Sequence, residues 1–113
     1  MATLFIDADA CPVTREALAT GRARGMRVVV VANSTQNLER YASRSGVEAI
    51  SVSSGRDAAD FAVVERLQPG DVVVTQDIGL AAMAIGRGAG AVSPRGRIFH
   101  LATIAAELAV RHA

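Results

Sequence analysis

A short apolar run, Leu4-Phe5-Ile6, ends abruptly in two aspartates one residue apart, Asp7 and Asp9. Pro12 follows closely, and proline suits the first turn of a helix. An apolar run of this length reads as a buried strand. Both carboxylates then stand at its carboxyl end, the edge where open α/β sheets bind ligands. Carboxylates crowded at the mouth of a buried strand repel one another and lose hydration. They need a cation, a proton or a network of donors. A divalent metal ion is the expected partner.

Further acids recur at comparable places. Asp57 and Asp60 lie three apart at the start of an expected helix, a spacing that puts both on one helix face. Asp77 ends Val74-Thr75-Gln76-Asp77, after another apolar run. Mg²⁺ and Mn²⁺ take hard oxygen ligands, and Mg²⁺ keeps several of its waters. Convergent aspartates with no histidine nearby in sequence match that preference and not zinc. Two such ions, roughly 3.5–4 Å apart, could activate a water and stabilise the leaving oxygen of a phosphodiester. Ser34 or Thr35, after the second strand, could hydrogen-bond a ligand or a metal-bound water. Each acid also has a plainer role: Asp57 and Asp77 as helix caps, Asp60 as a first-turn acid favoured by the helix dipole. Asp71, after Pro69-Gly70, reads as a polar turn residue. Cys11 reads as a small core or cap residue, and His100 and His112 as surface residues.

The elements that must position these acids alternate regularly. Strands are expected over about 3–8, 27–32, 48–52, 72–75 and 88–92. Helices are expected over about 12–23, 35–44, 57–67, 77–87 and 103–111. The run Val28-Val29-Val30-Val31 is β-branched throughout, as in a parallel strand buried on both faces. Strand followed by helix, five times over, predicts one three-layer αβα domain over residues 1–113, with a mostly parallel five-stranded sheet. In a 3-2-1-4-5 strand order, strands one and four are neighbours, and their acids meet at the switch point. Ser93 to Gly96 is expected to turn near the same edge.

Composition narrows the choice. The 113 residues are half hydrophobic, enough for a core without disulfides. No apolar run approaches the roughly 18–20 residues of a membrane span. The amino terminus does not resemble a signal peptide, and a lone cysteine argues against secretion, so a cytoplasmic protein is expected. All twelve basic residues are arginine. Net charge is +1, but with five acids set aside in a metal-neutralised cluster the arginines dominate the rest of the surface. That suits a phosphate-rich partner. Arg15, Arg22, Arg24 and Arg27 offer either a phosphate-binding face or a solvated helix surface. Without lysine there is no Schiff base and no P-loop.

Four blocks carry a resemblance: Ile6-Asp7-Ala8-Asp9-Ala10-Cys11-Pro12-Val13, Gly55-Arg56-Asp57-Ala58-Ala59-Asp60, Gly70-Asp71-Val72-Val73-Val74-Thr75-Gln76-Asp77, and Pro94-Arg95-Gly96. Together they resemble the YaiI/YqxD family, bacterial proteins similar to PIN-domain nucleases. Thr14 departs from the lysine common in that family, and Phe99-His100 from a Tyr-Thr pair. The resemblance implies a PIN-like fold and a metal-dependent acidic site for cleaving nucleic acid, RNA before DNA. Asp7, Asp9, Asp57, Asp60 and Asp77 carry over as metal and catalytic residues, with Ser34, Thr35 and Arg95 beside them. PIN-like proteins often pair, which leaves a homodimer open. Two other classes compete. A haloacid-dehalogenase-like phosphatase would use Asp7 as nucleophile and form a covalent aspartyl-phosphate. A non-catalytic metal- or RNA-binding module would keep the acids without turnover.

Overall fold

The computed structural model describes residues 2–8, 11, 13–33, 39–41, 46–52, 58–102 and 104–106. Five strands form one sheet: β1 (Thr3–Asp7), β2 (Arg27–Ala32), β3 (Val47–Ser51), β4 (Val72–Val74) and β5 (Gly90–Val92). Their order is β3-β2-β1-β4-β5, and every pairing is parallel. Three helices are bounded: α1 (Thr14–Ala23), α2 (Ala58–Val64) and α3 (Ile78–Gly86). Residues 39–41, 101–102 and 104–106 are also helical.

The order follows from handedness. Connections between parallel strands are right-handed. Stepping from β1 to β2 to β3 puts α1 and the helical residues 39–41 on one side. The chain then reverses past β1 to β4 and β5, which puts α2 and α3 on the other. Two cores result. Leu4, Ile6, Val28, Val30 and Tyr41 pack on the α1 side; Phe5, Val29, Val31, Val63 and Leu80 pack on the α2–α3 side. The valine run is buried on both faces from Val28 to Ala32, as its β-branched sequence predicts. α1 lies close to the sheet at Gly21, where an added Cβ would sit 2.7 Å from Leu4 Cδ2. It covers β1 and β2 but not β4 and β5. An apolar groove of about 470 Å³, floored by Val72, Val74 and Val92, stays open beside it.

Several boundaries differ from the sequence expectation, each for a local reason. β5 begins at Gly90, not Gly88, because Gly88 at φ +83° closes α3, donating to the Ile85 carbonyl at 3.0 Å. α2 ends at Val64, not Leu67. There the bonds tighten to Arg66 N–H on the Val63 carbonyl and Leu67 N–H on the Val64 carbonyl. The final helical stretch begins before residue 103, with Ile104 N–H donating to the His100 carbonyl at 2.9 Å. Of the expected helix over 35–44, only residues 39–41 lie among those described. After β5 the chain turns at 93–96 and folds back. Ser93 N–H donates to the Arg97 carbonyl at 2.8 Å, and Phe99 N–H to the Ala91 carbonyl at 2.9 Å. The segment thereby covers the β5 edge, which would otherwise expose unpaired backbone groups.

Asp71 corrects its sequence reading. It is buried, and both carboxylate oxygens are used: Oδ1 accepts from Thr3 N–H and Oδ2 from Gln68 N–H, each at 2.9 Å. It thus ties the start of β1 to the turn before β4. A polar side chain at a turn is favoured for just this local bonding. Asp71→Ala strands two amide donors in a part-buried setting, each worth the lower end of about 1–3 kcal/mol. The expected loss is about 2 kcal/mol in denaturant unfolding. A loss under 0.5 kcal/mol would remove this role.

Candidate functional site

The acidic edge is built by strand parity. Successive side chains alternate across a sheet. In β1, Leu4 and Ile6 enter the α1-side core, and so does Ala8 just beyond the strand; Phe5 enters the other. Asp7, between Ile6 and Ala8, therefore faces the α2–α3 side, half-buried. The same parity holds in β4, where Val72 and Val74 face α1 and Val73 faces α3. Ile6 is in register with Val74, so Asp7 stands level with Thr75, the residue after β4. β1 and β4 are the two strands from which the chain departs to opposite sides of the sheet. Their carboxyl ends form the crevice where doubly wound sheets hold ligands.

Thr75 is buried there, and its Oγ1 accepts from Asp77 N–H at 2.9 Å. This short turn delivers Asp77 to the N-cap of α3. Asp77 Oδ1 accepts from Gly79 N–H at 2.8 Å and from Leu80 N–H at 3.3 Å. Both cap bonds land on one oxygen. Asp77 is exposed, and Oδ2 has no donor among the described residues. Capping and ligation therefore do not compete for this side chain. Gly79 leaves room for the cap: a Cβ there would sit 3.1 Å from Asp77 Oδ1, the oxygen that takes both cap bonds. Asp60 lies in the first turn of α2, half-buried, on the helix layer that covers the Asp7 face.

Asp7, Asp60 and Asp77 are thus delivered to one edge and one side of the sheet by three different elements. Asp9, Asp57, Ser34 and Thr35 lie outside the described residues. Among the described residues, no three of His, Cys, Asp and Glu stand close enough to hold a metal ion. Arg95 is exposed at the tip of the 93–96 turn, at the carboxyl end of β5 and on the same edge. Cys11 is a free thiol buried in the α1-side core, and His100 is exposed. On the α2–α3 side of the edge the acids offer oxygen donors, while the Cys11 thiol is buried in the opposite core. That donor set suits a hard cation that keeps part of its water shell.

The four arginines do not form one face. α1 rises about 14 Å between Arg15 and Arg24. Arg22, Arg24 and Arg27 therefore lie at the amino edge of the sheet and Arg15 at the carboxyl edge. Arg27 pairs with Glu48 at 3.1 Å, both side chains well exposed. Such a pair adds little stability.

Comparison with known proteins shows the family. A family model described as "Uncharacterized BCR, YaiI/YqxD family" matches residues 5–113. The chain belongs to the YaiI/YqxD family. Relatives carry the name UPF0178 protein. One from Xanthomonas campestris pv. campestris is 48% identical over 113 residues, covering 98% of this chain and 69% of its own length. One from Caulobacter vibrioides is 46% identical over 111 residues, covering 98% and 71%. One from Exiguobacterium sibiricum is 41% identical over 109 residues, covering 96% and 72%. No solved structure matches this YaiI/YqxD family chain. No helix among its described residues is long and apolar enough to cross a membrane.

Proposed function

We propose that the protein is a Mg²⁺- or Mn²⁺-dependent nuclease acting on RNA in preference to DNA. The observation that supports this reading is the register of β1 with β4, which sets Asp7 level with the turn carrying Asp77 at the switch point. The resemblance to PIN-domain nucleases adds the substrate class. Asp7, Asp9, Asp57, Asp60 and Asp77 are assigned to the ion as one set. Since no three of the described acids stand close enough to hold it by themselves, Asp9 or Asp57 must take part in direct ligation, with the more distant acids acting through metal-bound water. A bound divalent ion would supply Lewis acidity toward the phosphodiester and its leaving oxygen. Of the chain's own groups, the Thr75 hydroxyl fixes the turn and the α3 cap fixes the Asp77 carboxylate.

The test is incubation of 5′-labelled single-stranded RNA and DNA with purified protein in Mn²⁺, Mg²⁺ or EDTA. The expected result is cleavage of RNA with either metal and none in EDTA. Cleavage undiminished by EDTA would remove the metal mechanism. Oligonucleotide bound but never cut would favour the non-catalytic module.

A further inference from the structure

A cavity of about 340 Å³ opens on the α1 side of the same edge. Ala8 and Cys11, from the chain leaving β1, form one wall. Arg15 and Glu16 from the first turns of α1, with Arg40 and Tyr41, form the others. Its position follows from parity: Ala8 is the immediate neighbour of Asp7 and points to the opposite side of the sheet. The cavity and the acidic edge thus flank one segment of backbone.

The chemistry of its walls is specific. Both guanidiniums are exposed at the cavity. Among the described residues neither has a carboxylate within ion-pair distance, whereas Arg27 and Arg66 pair with Glu48 and Glu65. The Thr14 hydroxyl is committed to the Cys11 carbonyl at 2.9 Å, so the arginines are the available donors. Among the described residues of the lining, two arginines stand against one Glu16. Guanidinium groups from two separate helical segments, converging on a polar recess, match the forked recognition of a phosphate.

We infer that Arg15 and Arg40 bind a backbone phosphate of the nucleic-acid strand, one that flanks the phosphodiester held at the acidic edge. The inference rests on the nuclease reading for its ligand but not for its test. The strand crosses the carboxyl end of β1, with one phosphate at the acids and a neighbour between the arginines. Two arginines at the recess offset the repulsion that five acids exert on a polyanion.

The experiment is fluorescence anisotropy of a labelled single-stranded RNA in EDTA across a salt series. Arg15→Ala/Arg40→Ala is expected to weaken binding about tenfold per arginine. It should also flatten the slope of log affinity against log salt by about 0.7, the share of one neutralised single-strand phosphate. Arg15→Lys/Arg40→Lys keeps the slope and loses part of the affinity, because lysine keeps the charge but not the fork. Arg22→Ala/Arg87→Ala, two exposed arginines away from this edge, leaves both quantities unchanged. Wild-type affinity and slope in the Arg15→Ala/Arg40→Ala variant would overturn the subsite, as would a wild-type chain that binds no oligonucleotide. If that variant also cuts RNA normally in Mn²⁺, the nuclease reading stands without the subsite. If RNA binds through Arg15 and Arg40 and is never cut, the subsite stands without the nuclease.

Discussion

Asp7→Asn is expected to abolish metal-dependent cleavage while the fold survives. The carboxylate sits at the end of the central strand, facing the α2–α3 side, level with the turn that carries Asp77. Asparagine preserves its shape and removes the charge that would hold a divalent ion. The expected rate loss is at least about a hundredfold, the upper end of what even outer-sphere partners of a metal ligand contribute. Asp77 makes the sharper companion, because its structural role can be separated from its chemical one. Asparagine caps a helix as well as aspartate does, whereas alanine costs about 0.5–2 kcal/mol. Asp77→Asn should therefore keep the thermal midpoint of the parent and lose activity. Asp77→Ala should lose both. Full activity in purified Asp7→Asn protein rules out the mechanism. Full activity in Asp77→Asn reduces Asp77 to a cap.

The second large effect is on stability. Ile6 is fully buried at the centre of the sheet, in register with Val30 on one side and Val74 on the other. Truncation to alanine removes a side chain from a site that neighbours on both strands hold rigid. Such changes cost about 2–5 kcal/mol. Total stabilities of about 5–15 kcal/mol leave little margin for that. Urea unfolding of Ile6→Ala should show a midpoint far below that of the parent. Phe61→Ala should show almost no change, since Phe61 is 68% exposed on the outer face of α2. A shift below about 1 kcal/mol for Ile6→Ala would mean that β1 is not the strand on which the sheet depends.

The strand order was legible because the signals were redundant. A β-branched run buried on both faces, five strand–helix alternations and right-handed crossovers leave few topologies, and 3-2-1-4-5 is among them. The placement of Asp7 and Asp77 at the carboxyl ends of neighbouring strands followed from that order alone. What the sequence concealed depends on tertiary partners. Asp71 follows a Pro-Gly turn, as many solvated aspartates do. Nothing local says that its Oδ1 reaches Thr3, 68 positions away. Of the two readings of the arginines, the solvated surface describes Arg22, Arg24 and Arg27, which are exposed. Arg15, Arg22 and Arg24 look like a cluster in sequence, but one helix carries them to opposite edges of the sheet. Arg40 joins Arg15 at the recess from a separate helical segment, which no local spacing could reveal. Terminal errors in α2 and β5 arose where a tightened final turn or glycine conformation sets the boundary.

Anomalous diffraction from a crystal soaked in Mn²⁺ tests the central claim most directly. The acidic edge should show a peak at coordination distance, about 2.1 Å, from an Asp7 oxygen, with Asp77 or Asp60 reached directly or through water. An edge without any peak at saturating Mn²⁺, or manganese found only elsewhere on the molecule, would contradict it.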